Sequence, residues 1–581
     1  MALRDLAEVY ETDILVVGGG LAGSFAAIKA RQNGVQRVAL VDKSVPGKSG
    51  CSTFAAGVIA AHFPHQDSLQ QWMEELCELG GYLNDQAWLE IVLTEVFGYV
   101  EEMAGWGVNF LRKADGDYER IVGRGGGPGR GLRNIMFHGP QLMEPVVKQL
   151  RLLGVTRYDR TMVTDLLVKD GRVLGVGGFN VLDGGYRIIK SRATILSAGG
   201  TYSKGSFVSH KNLSGDAHAM CVRAGVELMN FDFTSRNQSC TEFDTEGMNM
   251  FVALGGRFIN ARGEEFMPEY DPVLGNRTTK PVMAAATALE VKAGRGPIYM
   301  DMTHFTPDKV QKLRQVLPLA SLILQRAGVM VGDRINRKLA WGPAGVGTVA
   351  FGGGARITTR CETSMPGLYA AGDSAARHGA GHNEMGAGAL TWAIVSGARA
   401  GRCAAEDYSQ FDLEDADVAF VEERREAVLK PLRRKTGVEP EQTILAIQEA
   451  VHPWNVLELR HEKRLQRALD RILEIKELHL PRLCAYDPHY LILAHEAESL
   501  AITMELILRA GLERKESRCN LREDYPEIDN INWLKWIILR PEGKSFAFRT
   551  MEIPEGPVKF KRVKRLHPLF TAAGLTEVGA R

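Results

Sequence analysis

The chain has 581 residues, too many for a single hydrophobic core, so we expect roughly two to four domains. Hydrophobic residues make up 45% and charged residues 24% of it, the profile of a globular protein, and the formal charge of +1 excludes a global attraction to nucleic acid or anionic membrane. No run of about 18 consecutive apolar residues occurs, and the first residues, MALRDLAEVYETD, carry charges where a signal peptide needs an apolar stretch. We therefore expect no transmembrane segment and a cytoplasmic location.

A nucleotide-binding unit is predicted at the start of the chain. Residues 13–17 (DILVV) indicate a short buried strand, and the glycines of a GxGxxG motif follow at Gly18, Gly20 and Gly23. A helix and a second strand come next, and that strand ends on Asp42, which is placed to hold ribose hydroxyls. In such a unit the first glycine permits a tight turn, the second lets the backbone approach the pyrophosphate, and the third allows the helix to pack closely on the strand. The pattern predicts a dinucleotide but leaves FAD and NAD open.

Later segments carry a family resemblance that favours FAD. They are TILSAGG (194–200), SGDAHAMCVRAGVEL (214–228), GLYAAGD (367–373), HGAGHNEMGAGAL (378–390) and ESRCNLREDYPEIDNINW (516–533). In order and spacing they resemble the FAD-binding flavoprotein subunits of the fumarate reductase and succinate dehydrogenase superfamily. Adenylylsulfate reductase alpha subunits and L-aspartate oxidases share this layout. The resemblance covers nearly the whole chain up to about residue 535.

The resemblance implies a set of FAD contacts. Asp373 would hydrogen-bond the ribityl chain, and the glycines of 378–390 would bring a helix N-terminus to the flavin pyrimidine carbonyl. The full set of implied cofactor-binding residues is Gly18, Gly20, Gly23, Asp42, Lys43, Ser49, Gly57, Ala198, Gly199, Asp216, Gly372, Asp373, Gly388, Ala389 and Leu390.

A departure from the family pattern predicts that FAD is bound non-covalently. Complex-bound fumarate reductases attach FAD through a His, but the corresponding segment here, GKSGCSTFAAGVIAA (47–61), contains none. Cys51 lies close to the vacant position, where a thioether is conceivable, but a buried, inert cysteine is favoured. The eight cysteines include no CxxC pair, which argues against a zinc site or an iron–sulfur cluster held by this chain.

Further departures fall on the residues with which the family binds dicarboxylates. Val252 takes the place of the proton-donating Arg, and the substrate-binding HPT tripeptide falls on Ser235, Arg236 and Asn237. The HYTMGG segment becomes GTVAFGG (347–353), which loses another His. A dicarboxylate site needs fixed cations, because a buried unpaired carboxylate costs several kcal/mol. We therefore hypothesise that neither fumarate nor succinate is the substrate.

Four replacements are candidate catalytic residues: His382, Glu384, Arg236 and His138. A His382–Glu384 pair over the flavin would suit general acid–base work, although the two side chains could instead only rigidify their loop. Arg236 could bind an anionic substrate group, although arginines more often form surface ion pairs. His138 lies where the family has a flavin-edge segment, with a structural role equally open.

The expected fold is α/β, with a Rossmann-type FAD-binding domain, an inserted α+β capping domain and a C-terminal helical domain. The predicted boundaries are 1–232 with 345–410 for the FAD-binding domain, 233–344 for the cap, 411–535 for the helical domain and 536–581 for a C-terminal tail. The tail carries a basic run, KFKRVKR (559–565), which could dock an acidic partner or form a solvated edge strand.

The leading functional hypothesis is the catalytic flavoprotein subunit of an FAD-dependent oxidoreductase. From the resemblance, electrons would pass between an organic substrate and a separate, ferredoxin-like iron–sulfur subunit. A higher-order oligomer is also open. One alternative is a self-contained dehydrogenase or oxidase with a diffusible acceptor. The other is a non-catalytic electron-transfer flavoprotein in a larger complex.

Overall fold

The computed structural model describes residues 2–55, 57–122, 131–137, 141–206, 210–245, 247–348, 352–382, 387–543 and 545–575. The strands, numbered in chain order, are β1 (Glu8–Val17), β2 (Val38–Val41), β3 (Val58–Ala60), β4 (Arg120–Ile121), β5 (Asn134–Met136), β6 (Thr156–Tyr158), β7 (Thr161–Lys169), β8 (Arg172–Asn180), β9 (Tyr186–Leu196), β10 (Leu228–Met229), β11 (Ser235–Cys240), β12 (Arg257–Ile259), β13 (Ile298–Asp301), β14 (Met330–Val331), β15 (Arg334–Ile335), β16 (Leu339–Gly347), β17 (Gly354–Ala355), β18 (Leu368–Ala370), β19 (Leu459–Arg460), β20 (Leu521–Arg522), β21 (Glu527–Asp529), β22 (Lys535–Glu542), β23 (Ser545–Glu552) and β24 (Lys564–Leu566).

The helices are α1 (Leu3–Leu6), α2 (Leu21–Gln32), α3 (Leu69–Leu79), α4 (Gln86–Trp106), α5 (Met143–Leu152), α6 (Asp216–Ala224), α7 (Met248–Ala253), α8 (Met267–Tyr270), α9 (Lys280–Lys292), α10 (Pro307–Val316), α11 (Pro318–Arg326), α12 (Gly388–Asp407), α13 (Val418–Leu429), α14 (Pro440–Val451), α15 (Trp454–Leu457), α16 (Glu462–Leu478), α17 (Pro488–Glu513) and α18 (Pro568–Ala572).

The largest sheet has the strand order β6-β2-β1-β9-β8-β7, and β18 pairs with β9. The β6, β2, β1, β9 and β18 neighbours run parallel, while β7, β8 and β9 form an antiparallel meander. The last four residues of β1 are buried, because helices and strands cover both faces of a parallel sheet. This arrangement confirms the predicted Rossmann-type α/β fold. Because β18 comes from a distant segment, two separate parts of the chain build one sheet, although the exact domain boundaries stay a prediction.

Helix α12 lies directly on α2, and two glycines permit the close approach. A Cβ atom built on Gly397 would lie 2.2 Å from the carbonyl oxygen of Ala22, and one on Gly401 would lie 2.2 Å from that of Ala26. Only glycine allows the two backbones to come this near. The contact fixes the middle of α12 beside the first turns of α2, whose N-terminus lies at the carboxyl ends of the parallel strands, where ligands bind in such sheets.

A second sheet, of order β11-β16-β13-β12, is antiparallel and forms the predicted inserted α+β region together with α7 to α11. This region has a hydrophobic core of its own, which includes Phe251, Phe258 and Trp341 and continues to Phe570 of α18. The C-terminal end of the chain therefore packs against the inserted region.

A third sheet, of order β17-β10-β22-β23, joins the C-terminal tail to the first part of the chain. Its strands β22 and β23 are antiparallel neighbours, and β23 has the sequence SFAFRTME. The long helices α16 and α17 lie within the predicted helical region 411–535 and pack on each other. Among the residues described here, no helix is both long and apolar enough to cross a membrane.

Candidate functional site

An open cleft lies at the carboxyl ends of β1, β2 and β9, and it encloses about 960 Å³, its solvent-exposed part included. Ten of the residues predicted to bind the cofactor line it: Gly18, Gly20, Asp42, Lys43, Ser49, Ala198, Gly199, Asp216, Gly372 and Asp373. These residues come from four distant segments of the chain. The sheet topology therefore assembles in one place most of what the resemblance implied.

The three glycines of the GxGxxG motif differ in what surrounds them. A Cβ atom on Gly18, whose φ is +106°, would lie 2.4 Å from the Ser197 carbonyl oxygen, and one on Gly23 would lie 1.9 Å from that of Gly18. A Cβ atom on Gly20 would meet nothing nearer than Ser52 Oγ, at 3.6 Å. Packing thus requires Gly18 and Gly23, whereas the space at Gly20 opens into the cleft. That space fits a ligand backbone such as a pyrophosphate.

Asp42 is held in place at the end of β2 by backbone groups. Its Oδ2 accepts a hydrogen bond from the Gly19 amide at 2.6 Å, and its Oδ1 accepts one from the Ser44 amide at 2.7 Å. Burial raises the pKa of Asp42, and the two amides oppose that effect. The carboxylate is therefore oriented toward the cleft before any ligand binds, as required of a group that accepts hydrogen bonds from ribose hydroxyls.

Lys43 joins two carboxylates that come from distant parts of the sequence. Its Nζ lies 2.8 Å from Asp216 Oδ2 and 2.7 Å from Glu496 Oε1, and Lys204 also pairs with Glu496. Burial opposes the charge of Lys43, but the two carboxylates outweigh burial and raise the pKa of this lysine. Burial likewise disfavours the charged form of Asp216, yet Lys43 keeps its pKa below the ordinary value. Glu496 was missed by sequence reasoning, because α17 carries no motif that points to the cleft.

Asp373 lines the cleft, and its carboxylate is paired with Arg377. The Nη2 atom of Arg377 lies 2.6 Å from Asp373 Oδ1, and the Arg377 residue is only 2% exposed. Arg377 was not among the candidates. The residue also lines a smaller, mostly apolar cavity of about 520 Å³, together with Gly379, Gly388 and Trp392.

Gly388, Ala389 and Leu390 form the first turn of α12, so the predicted helix N-terminus is present, while its approach to the flavin stays a prediction. Among the described residues, no side chain caps this end of the helix, and the preceding residue, Ala387, has a positive φ of 76°. Toward the described part of the chain, the first amides of α12 are thus available to an electronegative group. Gly57, with φ +70°, contacts the carbonyl oxygen of Phe137 and does not line the cleft in the structure.

Cys51 differs from the expectation of a buried cysteine. It lines the cleft between Gly50 and Ser52 and is partly exposed, whereas the other seven cysteines are buried. The expectation was wrong because residue 51 lies on the cleft wall, which solvent reaches.

His382 packs against the turn at Gly80 and Gly81 rather than standing alone. Its amide donates to the Gly80 carbonyl oxygen at 3.1 Å, and its ring centroid lies 6.0 Å from that of Phe233. Burial, and after it the positive charge of Arg518, lowers the pKa of His382 well below the ordinary histidine value. Its Nδ1 has no hydrogen-bond partner among the described residues. Both effects disfavour the protonated form, so the imidazole is neutral at physiological pH.

Arg236 is buried, so the alternative of a surface ion pair is wrong for this residue. Its Nη1 donates to the His452 carbonyl oxygen at 2.7 Å, its guanidinium lies 4.8 Å from the ring of Trp454, and its Nε lies 4.0 Å from Glu458 Oε2. Burial raises the pKa of Glu458 to about 8, against the effect of Arg236. Strand β11 thus places Arg236 against the helical region, where Trp454 and Glu458 cover its side chain.

His138 and Glu384 lie outside the described residues, as do Asn383 and most of the glycine-rich loop 123–131. The proposed His382–Glu384 pair stays a prediction for this reason. Within the described part of the chain, no group of three or more His, Cys, Asp and Glu side chains is placed to hold a metal ion.

Comparison with known proteins places these features in one family. Residues 13–390 match the family model described as FAD binding domain, and residues 451–569 match the one described as fumarate reductase flavoprotein C-term. A relative from Methanothermobacter marburgensis, which is named as a subunit of the CoM/CoB fumarate reductase, is 30% identical over 92% of this chain and 97% of its own length.

Solved structures have the same fold. The E. coli quinol fumarate reductase chain FrdA superposes with a TM-score of 0.83 at 20% identity, covering 96% of this chain and 99% of that chain. Adenylylsulfate reductase from Archaeoglobus fulgidus superposes with a TM-score of 0.78 at 21% identity, covering 96% and 98%. The residues of the cleft fit FAD, because the open space at Gly20, the oriented Asp42 and the carboxylate of Asp373 lie around one cavity.

Proposed function

Because the chain belongs to the family of FAD-dependent flavoproteins that contains fumarate reductases and succinate dehydrogenases, we propose that it is the catalytic subunit of an oxidoreductase acting on an organic substrate. Bound FAD supplies two-electron redox chemistry. The observation that carries the proposal is the cleft in which Gly20 leaves open space while Asp42, Gly372 and Asp373 converge on it. The inserted region 233–344 would cover the substrate beside this cleft and exclude water.

The cofactor is held without a covalent bond in this proposal. Residues 47–61 contain no His that could attach FAD, and Cys51 is the only side chain of that segment with nucleophilic sulfur. Acid precipitation of the purified protein should leave all flavin in the supernatant, and Cys51→Ser should bind FAD as the parent does. Flavin that stays with the precipitate of the parent but not with that of Cys51→Ser would show a thioether and refute this part.

Neither fumarate nor succinate is the proposed substrate. Val252, at the position expected for the proton-donating Arg, is apolar and 2% exposed, and Arg236 is engaged by the His452 carbonyl group, Trp454 and Glu458. Val252 offers no cation, and Arg236, whose Nε and Nη2 have no hydrogen-bond partner among the described residues, could serve only one carboxylate. A second carboxylate buried without a cation costs several kcal/mol. With reduced viologen as electron donor under anaerobic conditions, fumarate should not be reduced above the rate of the heat-inactivated protein. Sustained, saturable turnover of fumarate would refute this assignment.

His382 is the proposed proton acceptor for substrate oxidation. Its lowered pKa keeps the ring neutral, and Nδ1 has no hydrogen-bond partner among the described residues. General base catalysis typically contributes about 10²- to 10⁴-fold. Once anaerobic bleaching of the flavin band has identified a substrate, His382→Gln should lower kcat by about 100-fold or more with FAD content unchanged. The exposed His489 provides the matched control, and His489→Gln should keep the parent rate.

The proposed electron partner is a separate iron–sulfur protein. The eight cysteines of this chain include no CxxC pair, and the basic run 559–565 is exposed apart from the half-buried Phe560, so it offers a charged surface to an acidic partner. Purification from the native source at low ionic strength should recover this chain together with an iron-containing subunit. Recovery of the chain alone, with substrate-dependent reduction of dichlorophenol-indophenol, would instead favour a self-contained dehydrogenase.

A further inference from the structure

A buried arginine stands between the two cavities of the site. Arg377 follows the Gly372–Ser374 turn, and its Nη2 lies 2.6 Å from Asp373 Oδ1. The side chain of Arg377 is 3% exposed and that of Asp373 is 20% exposed. The carboxylate thus faces the cleft, while the guanidinium lies behind it in the protein.

Arg377 also shares a cavity with the N-terminal residue of α12. Arg377 and Gly388, the first residue of that helix, both line the smaller cavity, whose other walls include Trp72, Leu89 and Trp392. These walls are apolar, so charges beside them are weakly screened. An arginine side chain keeps its positive charge at every pH at which proteins are studied. A permanent charge is therefore built into the boundary between the dinucleotide cleft and the helix N-terminus.

We propose that Arg377 is a positioning residue that offsets the charge of Asp373, so that this carboxylate can bind the FAD ribityl chain without opposing the negative charge that the flavin acquires on reduction. This inference rests on the proposed FAD site. A bare carboxylate beside the flavin would favour the oxidised cofactor by simple repulsion. The ion pair removes that repulsion while the second oxygen of Asp373 stays available as a hydrogen-bond acceptor.

The proposal predicts a different change in the flavin midpoint potential for each of three variants. Removing the cation in Arg377→Met should reduce the preference of the protein for reduced over oxidised FAD by at least about tenfold, which is about 30 mV in the midpoint potential of a two-electron couple. Removing the carboxylate in Asp373→Asn should raise the potential, because the carboxylate no longer offsets the positive charge of Arg377. The double variant Arg377→Met/Asp373→Asn should return close to the parent potential.

The experiment is an anaerobic dye-equilibration titration of each FAD-loaded protein, with the FAD dissociation constant measured in parallel. Arg360 provides a matched control, because its guanidinium pairs with Glu406 and Asp407 at a site that is 41% exposed. Arg360→Met should therefore leave the flavin potential unchanged. Arg377→Lys keeps the charge and should stay close to the parent.

Equal potentials in the parent and in Arg377→Met, with FAD bound in both, would overturn the proposal and leave Arg377 a purely structural partner of Asp373. The same conclusion would follow if Arg377→Lys shifted the potential as far as Arg377→Met does. Should Arg377→Met fail to fold, Asp373→Asn decides alone, because an unchanged potential in that variant contradicts the charge argument. Failure of the parent protein to bind FAD would instead refute the proposed function itself.

Discussion

Gly20 permits a sharp test of which glycines of the nucleotide-binding motif serve the fold and which serve the ligand. A methyl group at Gly20 would have Ser52 Oγ as its nearest neighbour at 3.6 Å, and the backbone there, φ −72° and ψ −172°, is open to alanine. Alanine is a poorer N-cap than glycine for α2, but it also lowers the entropy of the unfolded chain. We expect these effects to cancel within about 0.5 kcal/mol, so Gly20→Ala should leave the stability of the apoprotein unchanged.

Binding of FAD should respond very differently. The methyl group would occupy the space assigned to the pyrophosphate, and forcing an extra methylene into a packed contact costs about 1–3 kcal/mol. The dissociation constant of FAD should therefore rise by about 5- to 150-fold. Titration by flavin fluorescence quenching measures the constant, and urea unfolding of the apoprotein measures the stability.

Gly23→Ala is the contrasting variant for this test. Its Cβ atom would lie 1.9 Å from the Gly18 carbonyl oxygen and 2.5 Å from Ser197 Oγ, so the apoprotein itself should be destabilised. The reasoning is refuted if Gly20→Ala binds FAD as tightly as the parent, or if it loses as much apoprotein stability as Gly23→Ala does.

Three further predictions concern the ionic and polar contacts. Lys43→Met should destabilise the protein by about 2–3 kcal/mol at pH 7. This is below the usual cost of breaking a buried pair, because the Lys43 side chain is partly exposed. The difference in stability between parent and variant should narrow below about pH 4. The reason is that Asp216 has a lowered folded-state pKa, so its contribution to stability is present above its unfolded-state pKa and is lost as the pH falls through the folded-state pKa. Urea unfolding of parent and variant at several pH values measures this change. Burial raises the folded-state pKa of Glu458 to about 8, so the protein loses stability as the pH rises from the unfolded-state pKa of this group toward 8. Glu458→Gln should remove that loss and be more stable than the parent at pH 8. Gln86→Ala should expose the tail to limited proteolysis and cost about 1–3 kcal/mol, because Gln86 pairs with both the amide and the carbonyl group of Val558 at 2.8 Å. Proteolysis at the parent rate would contradict the last prediction.

Part of the fold and of the cofactor cleft could be predicted from the sequence because the signals are local. The run DILVV, the glycine spacing and the acid after the second strand each depend on a few neighbouring residues, and the structure has β1, α2, β2 and Asp42 at those places. The start of β1 was missed. Residues 8–12 pair with β9, but residues 8–11 are half-buried or exposed and the buried Thr12 is polar, so no hydrophobic run indicates a strand there.

The sequence by itself determined the nucleotide-binding unit, the FAD-dependent family and the residues that converge on the cleft, since short segments with fixed spacing carry this information. Only the tertiary structure decided the electrostatics of the site. Lys43 meets Glu496 across a separation of 453 residues, and Arg236 is buried under Trp454 and Glu458 from another region. Even the pair of Asp373 and Arg377 was invisible, because spacing does not reveal whether an arginine turns inward. Ion pairs form where the folded chain brings charges together and excludes water, and neither condition leaves a local pattern in the sequence.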